Sequence, residues 1–109
     1  MSETLKQNKV RDLIKAKAAQ FLQEESNRTS LITVTDVFIS NDLKKATIFV
    51  TVFPETQEES VINFLKRKRS GFKNFIKNET KIGRIPFFDF AIDKGEKNRQ
   101  RIDEISKLD

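Results

Sequence analysis

Apolar residues recur at helical spacing near the start of the chain. Leu5, Val10, Leu13, Ile14, Phe21 and Leu22 interrupt a polar background, with Lys6, Arg11, Lys15 and Gln20 largely on other faces. The spacing predicts an amphipathic helix over residues 5 to 25. The polar run Ser26-Asn27-Arg28-Thr29-Ser30 then reads as a loop, because short polar side chains compete for backbone hydrogen bonds. From Leu31 the period falls to two. Leu31 to Ile39 and Ala46 to Phe53 are rich in Val, Ile, Thr and Phe, and Ala46, Ile48, Val50 and Val52 alternate with Thr47, Phe49, Thr51 and Phe53. Ser40-Asn41-Asp42 supplies turn residues between them, Asn and Asp tolerating positive φ, so an antiparallel hairpin is expected, ended by Pro54.

Thr56 and Glu59 have capping-box spacing, which predicts a helix start just before Val61. Continued at the helical angle, Val61, Ile62, Phe64, Leu65, Phe72, Phe75 and Ile76 share one broad apolar side, and Lys68 falls in its middle. A continuous helix would bury that lysine. The run Arg69-Ser70-Gly71 follows at once, and glycine both weakens a helix and permits a sharp turn, so a kink there is expected to give two short helices. Gly83 is expected to close the helical region and Ile85 to Ile92 to form a third strand, with Pro86 near its start or at an edge. Within it, the Phe87-Phe88 pair is read as core, or else as a partly exposed patch on an edge strand. Gly95 breaks the strand, and residues 96 to 108 read as a charged tail, able to form a short helix that docks Ile102, Ile105 and Leu108. The ordered core is therefore expected over about 5–93 of a single domain spanning 1–109.

Composition narrows the chemistry. The chain has neither Cys nor His, which removes thiolate nucleophiles, the usual base of a catalytic triad and the ligands most zinc or iron sites require. The nearest carboxylate pairs, Glu24/Glu25, Glu58/Glu59 and Asp103/Glu104, are sequence neighbours, and adjacent helical positions do not face each other. No enzyme, cofactor or small-molecule substrate is therefore expected. No run approaches the roughly 20 apolar residues that span a bilayer, so no membrane is expected either. The absence of cysteine fits a reducing compartment.

Charge is concentrated. Val61 to Arg84 holds eight basic residues against Glu79 alone, a local +7 within a chain of net +5, so the remainder sums to −2. Lys66, Lys73 and Lys77 fall in one narrow sector of the wheel, with Arg69 at its edge and Lys81 continuing the run. A solvent-exposed face usually interleaves opposite charges at i,i+4; a polyanion-binding face does not, because each cation near a phosphate releases counterions. Lys66, Arg67, Arg69, Lys73, Lys77, Lys81 and Arg84 are therefore the candidate RNA-binding residues.

The order of elements is that of an α+β, KH-like (type II) domain: a three-stranded sheet packed against helices, α-β-β-α-(kink)-α-β, with a short C-terminal tail. Many KH domains clamp nucleic acid with a GxxG loop, whereas this chain reads Arg69-Ser70-Gly71-Phe72-Lys73-Asn74 at that place. Four segments resemble the ribosome-binding factor A family over nearly the whole length: Leu31-Ile32-Thr33-Val34-Thr35-Asp36-Val37; Ser40 to Ala46 running into Ile48-Phe49-Val50; Gly71-Phe72 before Lys73; and Arg101-Ile102-Asp103-Glu104-Ile105. The resemblance implies a monomeric, cytoplasmic, non-enzymatic factor that binds the immature small (30S) ribosomal subunit, contacts its rRNA, assists late maturation and rRNA processing, and leaves before translation. The family typically has Ala-x-Gly at the kink, where this chain has Arg69-Ser70-Gly71, so the local packing or RNA contact there is expected to differ. The Phe87-Phe88 pair also departs from the family's more usual acidic and apolar residues. The alternative is a protein-interaction module using the Phe87-Phe88 strand edge or the tail; DNA binding ranks below it, for want of a helix-turn-helix or zinc-finger pattern.

Overall fold

The alternation in the second strand decides the architecture: Ala46, Ile48, Val50 and Val52 are buried while Thr47, Phe49, Thr51 and Phe53 face the other way, so one sheet face must be covered. The computed structural model of the protein describes residues 5–25 and 30–95. Its elements run α1 (Leu5–Glu25), β1 (Leu31–Ile39), β2 (Lys45–Phe53), a 3-10 turn (Glu55–Gln57), α2 (Glu58–Arg67), α3 (Arg69–Glu79) and β3 (Phe87–Ile92). The sheet order is β1-β2-β3; β1 pairs antiparallel with β2, and β3 lies parallel to β2 after the α2–α3 crossover that parallel pairing requires. This is the expected α+β, KH-like order. The expected tail helix carrying Ile102, Ile105 and Leu108 lies outside the described residues.

Helices cover the inner face of the sheet. From α1 come Ile14, Ala18, Phe21 and Leu22, spaced as one helical stripe; Val61 and Leu65 follow from α2, and Phe72 and Ile76 from α3. Phe72 is the hub, its ring centroid 5.2 Å from Phe21, 4.7 Å from Phe88 and 5.9 Å from Phe90, so it joins the N-terminal helix to the edge strand. The Phe87-Phe88 pair is divided by the pleat: Phe88 is core and Phe87 is exposed.

Five local expectations are corrected. The hairpin's positive φ falls on Leu43 (61°) rather than on Asn41 or Asp42. Asp42 is occupied as an acceptor, its Oδ1 taking the Ser40 hydroxyl at 2.6 Å and the Lys44 N–H at 3.0 Å, and the chain reverses one residue later. The Thr56–Glu59 capping box does not form. A 3-10 turn closed by Gln57 N–H on Pro54 O leads into α2, whose first residue is Glu58 and whose N-cap, Gln57, makes no side-chain cap bond. The helix break sits at Lys68 (φ −93°, ψ 4°), two residues before the Ser70-Gly71 step, which lies inside α3. The misplaced lysine itself takes the break, and its ammonium turns to Glu25 at 3.4 Å and over the Phe64 ring. Helix α3 ends at Glu79, before Gly83, because Thr80 adopts extended backbone while its hydroxyl donates to Ile76 O at 2.7 Å. The third strand begins at Phe87, not Ile85.

Candidate nucleic-acid interface

Helix α3 carries its apolar and its basic residues on adjoining faces. Phe72 and Ile76 point into the core, and Arg69, Lys73 and Lys77, each four residues apart, align on another side. Lys66 and Arg67 occupy the last turn of α2, where cations are favoured by the carbonyl end of the helix. The break at Lys68 sets these two cations directly before Arg69.

Two of the expected cations meet on one acid, and a third shares a groove with one of them. Asp89 on β3 receives Lys66 Nζ at 3.7 Å and Arg69 Nη1 at 3.3 Å on the same oxygen, Oδ1, which also accepts the Phe90 N–H at 2.9 Å. The Arg69 guanidinium lies 5.2 Å from the Phe87 ring centroid. Lys73 joins Arg69 and Ser70 along one wall of a groove of about 520 Å³ whose other wall is Ile85, Pro86, Phe87 and Phe88. Lys73, Lys77, Lys81 and Arg84 are exposed and form no ion pair among the described residues.

The remaining cations are less convergent. Lys81 and Arg84 sit on the α3–β3 loop, positioned by Thr80, whose hydroxyl also accepts the Ile82 N–H at 3.3 Å; they line a second hollow that shares Pro86 with the groove. Arg67 faces a shallow depression with Ser30, Ile32 and Phe64, away from the groove. Two features were missed in the sequence. Asp89 is an acid set inside the basic face, and nothing in charge counting over 61–84 reaches it. The aromatic partner of Arg69 is Phe87, whose exposure follows from the alternation Phe87, Asp89, Ala91 against Phe88 and Phe90.

Comparison with known proteins adds a family. The model of the family described as Ribosome-binding factor A matches residues 6–106. A Ribosome-binding factor A of Christiangramia forsetii is 32% identical over 99 residues, covering 85% of this chain and 76% of the relative. One from Prochlorococcus marinus is 28% identical over 115 residues, covering 100% of this chain and 88% of the relative. Among solved structures, the crystal structure of ribosome-binding factor A from Thermus thermophilus superposes with a TM-score of 0.70 at 22% identity, over 78% of this chain and 93% of that one. A homology model of the Thermus thermophilus factor, fitted into an electron cryo-microscopy map of a 30S complex, superposes at 0.66 and 23% identity, over 74% and 88% of the two chains.

Proposed function

The chain belongs to the ribosome-binding factor A family, and on that premise we propose that it is a cytoplasmic, monomeric, non-enzymatic assembly factor that binds the small ribosomal subunit through rRNA during late maturation and rRNA processing. The family and the relative seen in a 30S complex support the ribosomal partner. The observation that carries the RNA reading is the row Arg69, Lys73, Lys77 on α3, with Lys66 beside it at the end of α2: Arg69 is half-buried, the three lysines are exposed, and Lys73 and Lys77 have no acid among the described residues. Such a row holds phosphates and reads no sequence, so selectivity comes from the shape of the folded RNA. The mechanism is a population shift: the factor favours one RNA arrangement by its higher affinity for it and departs when maturation removes that arrangement.

The strand-edge alternative has less support. Adding a strand to β3 would need its outward N–H groups, and that of Phe90 is already taken by Asp89.

The test is equilibrium binding of the full chain to purified small subunits across a salt series. Lys73→Glu with Lys77→Glu should weaken binding at least about tenfold at low salt and flatten the slope of log K against log salt, by roughly 0.7–0.9 for each phosphate contact removed. Unchanged affinity and slope would remove this face from the mechanism.

A further inference from the structure

The α3–β3 loop, α1 and the β1–β2 turn enclose a hollow of about 500 Å³ whose walls are aliphatic: Val10 and Leu13 from α1, Leu43 from the turn, Ile82 and Pro86 from the loop. That volume lies in the usual range for ligand sites, about 300–1,000 Å³. Two departures from ordinary packing meet there. Leu13 belongs to the apolar series of α1, yet it is 37% exposed. Leu43 holds a positive φ, a conformation that a non-glycine residue adopts only at an energetic cost. The charged residues in the lining are Lys81 and Arg84, both exposed, and no acid joins them among the described residues.

An aliphatic cup rimmed by two cations suits a ligand that is apolar on its faces and anionic at its edge. A nucleotide has that form, whereas an apolar peptide side chain would fill the cup and leave both cations without a partner. From this complementarity we infer that the hollow receives one unstacked base of the RNA, with the flanking phosphate held by Lys81 and Arg84. The inference rests on the RNA-binding reading above. It is also consistent with a kink that lacks the GxxG clamp: the base is held behind the loop, on the far side of Pro86 from the basic groove.

Gly83 provides a clean probe. It lies in the lining, its φ is not positive, and a Cβ built on it meets no atom within 4 Å. A side chain there can occlude the hollow without displacing the fold. The full chain is titrated with a short single-stranded RNA and with an abasic oligomer carrying the same number of phosphates. The intact RNA should bind about fivefold more tightly, as the burial of about 40 Å² of one base face against aliphatic walls would give. Gly83→Leu and, independently, Leu13→Gln should erase that preference while leaving the abasic affinity unchanged, each variant being verified as folded by circular dichroism. Equal affinity for the two oligomers, or a preference that survives both substitutions, overturns the inference while leaving the RNA reading intact. Failure to bind either oligomer or subunit RNA overturns both. If Gly83→Leu weakens binding to whole subunits although no base preference exists, the hollow takes a protein side chain and the inference falls.

Discussion

Asp89 contributes to the basic face through two separable properties, its charge and its acceptor oxygen. The charge offsets part of the cluster formed by Lys66 and Arg69, and the oxygen satisfies an edge N–H. Phe87 N–H donates to Lys44 O and Asp93 N–H to Val50 O, so alternation turns the Phe90 N–H outward, to the open edge. Strand β1 uses the same device, Asp36 Oδ1 accepting the Val37 N–H at 2.8 Å. Asp89→Asn keeps an acceptor and removes the charge. It should tighten binding to small-subunit RNA and steepen its salt dependence, with a stability change below about 1 kcal/mol, since the pairs are partly exposed and screened. Asp89→Ala also frees the Phe90 N–H, and urea denaturation should show a further loss of about 1 kcal/mol. If the two variants bind RNA no better than the parent, Asp89 does not moderate the face. Asp42 makes a second residue-level case. The Ser40 hydroxyl, then the Lys44 N–H, hold its carboxyl below the usual carboxylate range. A pKa lower in the folded than in the unfolded chain gives stabilisation that is complete above the ordinary range and lost as pH falls through the lowered value. An NMR titration should therefore show Asp42 protonating at a lower pH than a free aspartate, with the Lys44 amide shift following it.

At the scale of elements, the sequence pattern located every α-helix and strand described, placed both ends of α1 and β1, and erred on where α2 begins, where the helices break and end, and where β3 starts. Periodicity is a sum over many residues and survives single exceptions, whereas a boundary is decided by one hydrogen bond, such as Thr80 to Ile76 or Asp42 to Lys44. One slip was written in the pattern. In β1 the inward residues are Ile32 and Val34, then Val37 and Ile39, a change of phase that a bulge at Thr35 absorbs. The helix break was legible in Lys68 as a misfit, and the glycine beside it drew the predicted position two residues too far. Gly71 instead lies in α3 against α1, where an added Cβ would stand 3.7 Å from Phe21 Cζ, an ordinary contact. Glycine is thus not required for conformation or for space. Gly71→Ala should stabilise the protein by about 0.5–1 kcal/mol in urea denaturation through helix propensity alone; a loss of stability would mean that α1 and α3 cannot accept a methyl group between them.

Across the whole molecule, the core and the basic row are drawn from adjoining faces of the same helix. The core is anchored by Phe72 against three other phenylalanines, and most of that cluster was legible as apolar positions. The face of Arg69, Lys73 and Lys77 adds nothing comparable: like charges four residues apart repel by about 0.2–0.5 kcal/mol a pair. The sequence supplied this row too, but not the acid that moderates one end of it, because Asp89 comes from a strand that folding brings alongside. A row of this kind has a consequence that a merely solvating surface would not have. In Lys73→Glu both repulsive pairs become attractive, with Glu at position 73 lying four residues before Lys77, the favourable orientation along a helix. The variant should unfold at a higher urea concentration than the parent, with a gain of roughly 0.8–2 kcal/mol, while its affinity for small-subunit RNA falls. Stability and affinity moving in opposite directions identifies Lys73 as a residue that binds at the fold's expense. If both fall together, Lys73 supports the structure, and the phosphate-binding role has to be sought on the other cations.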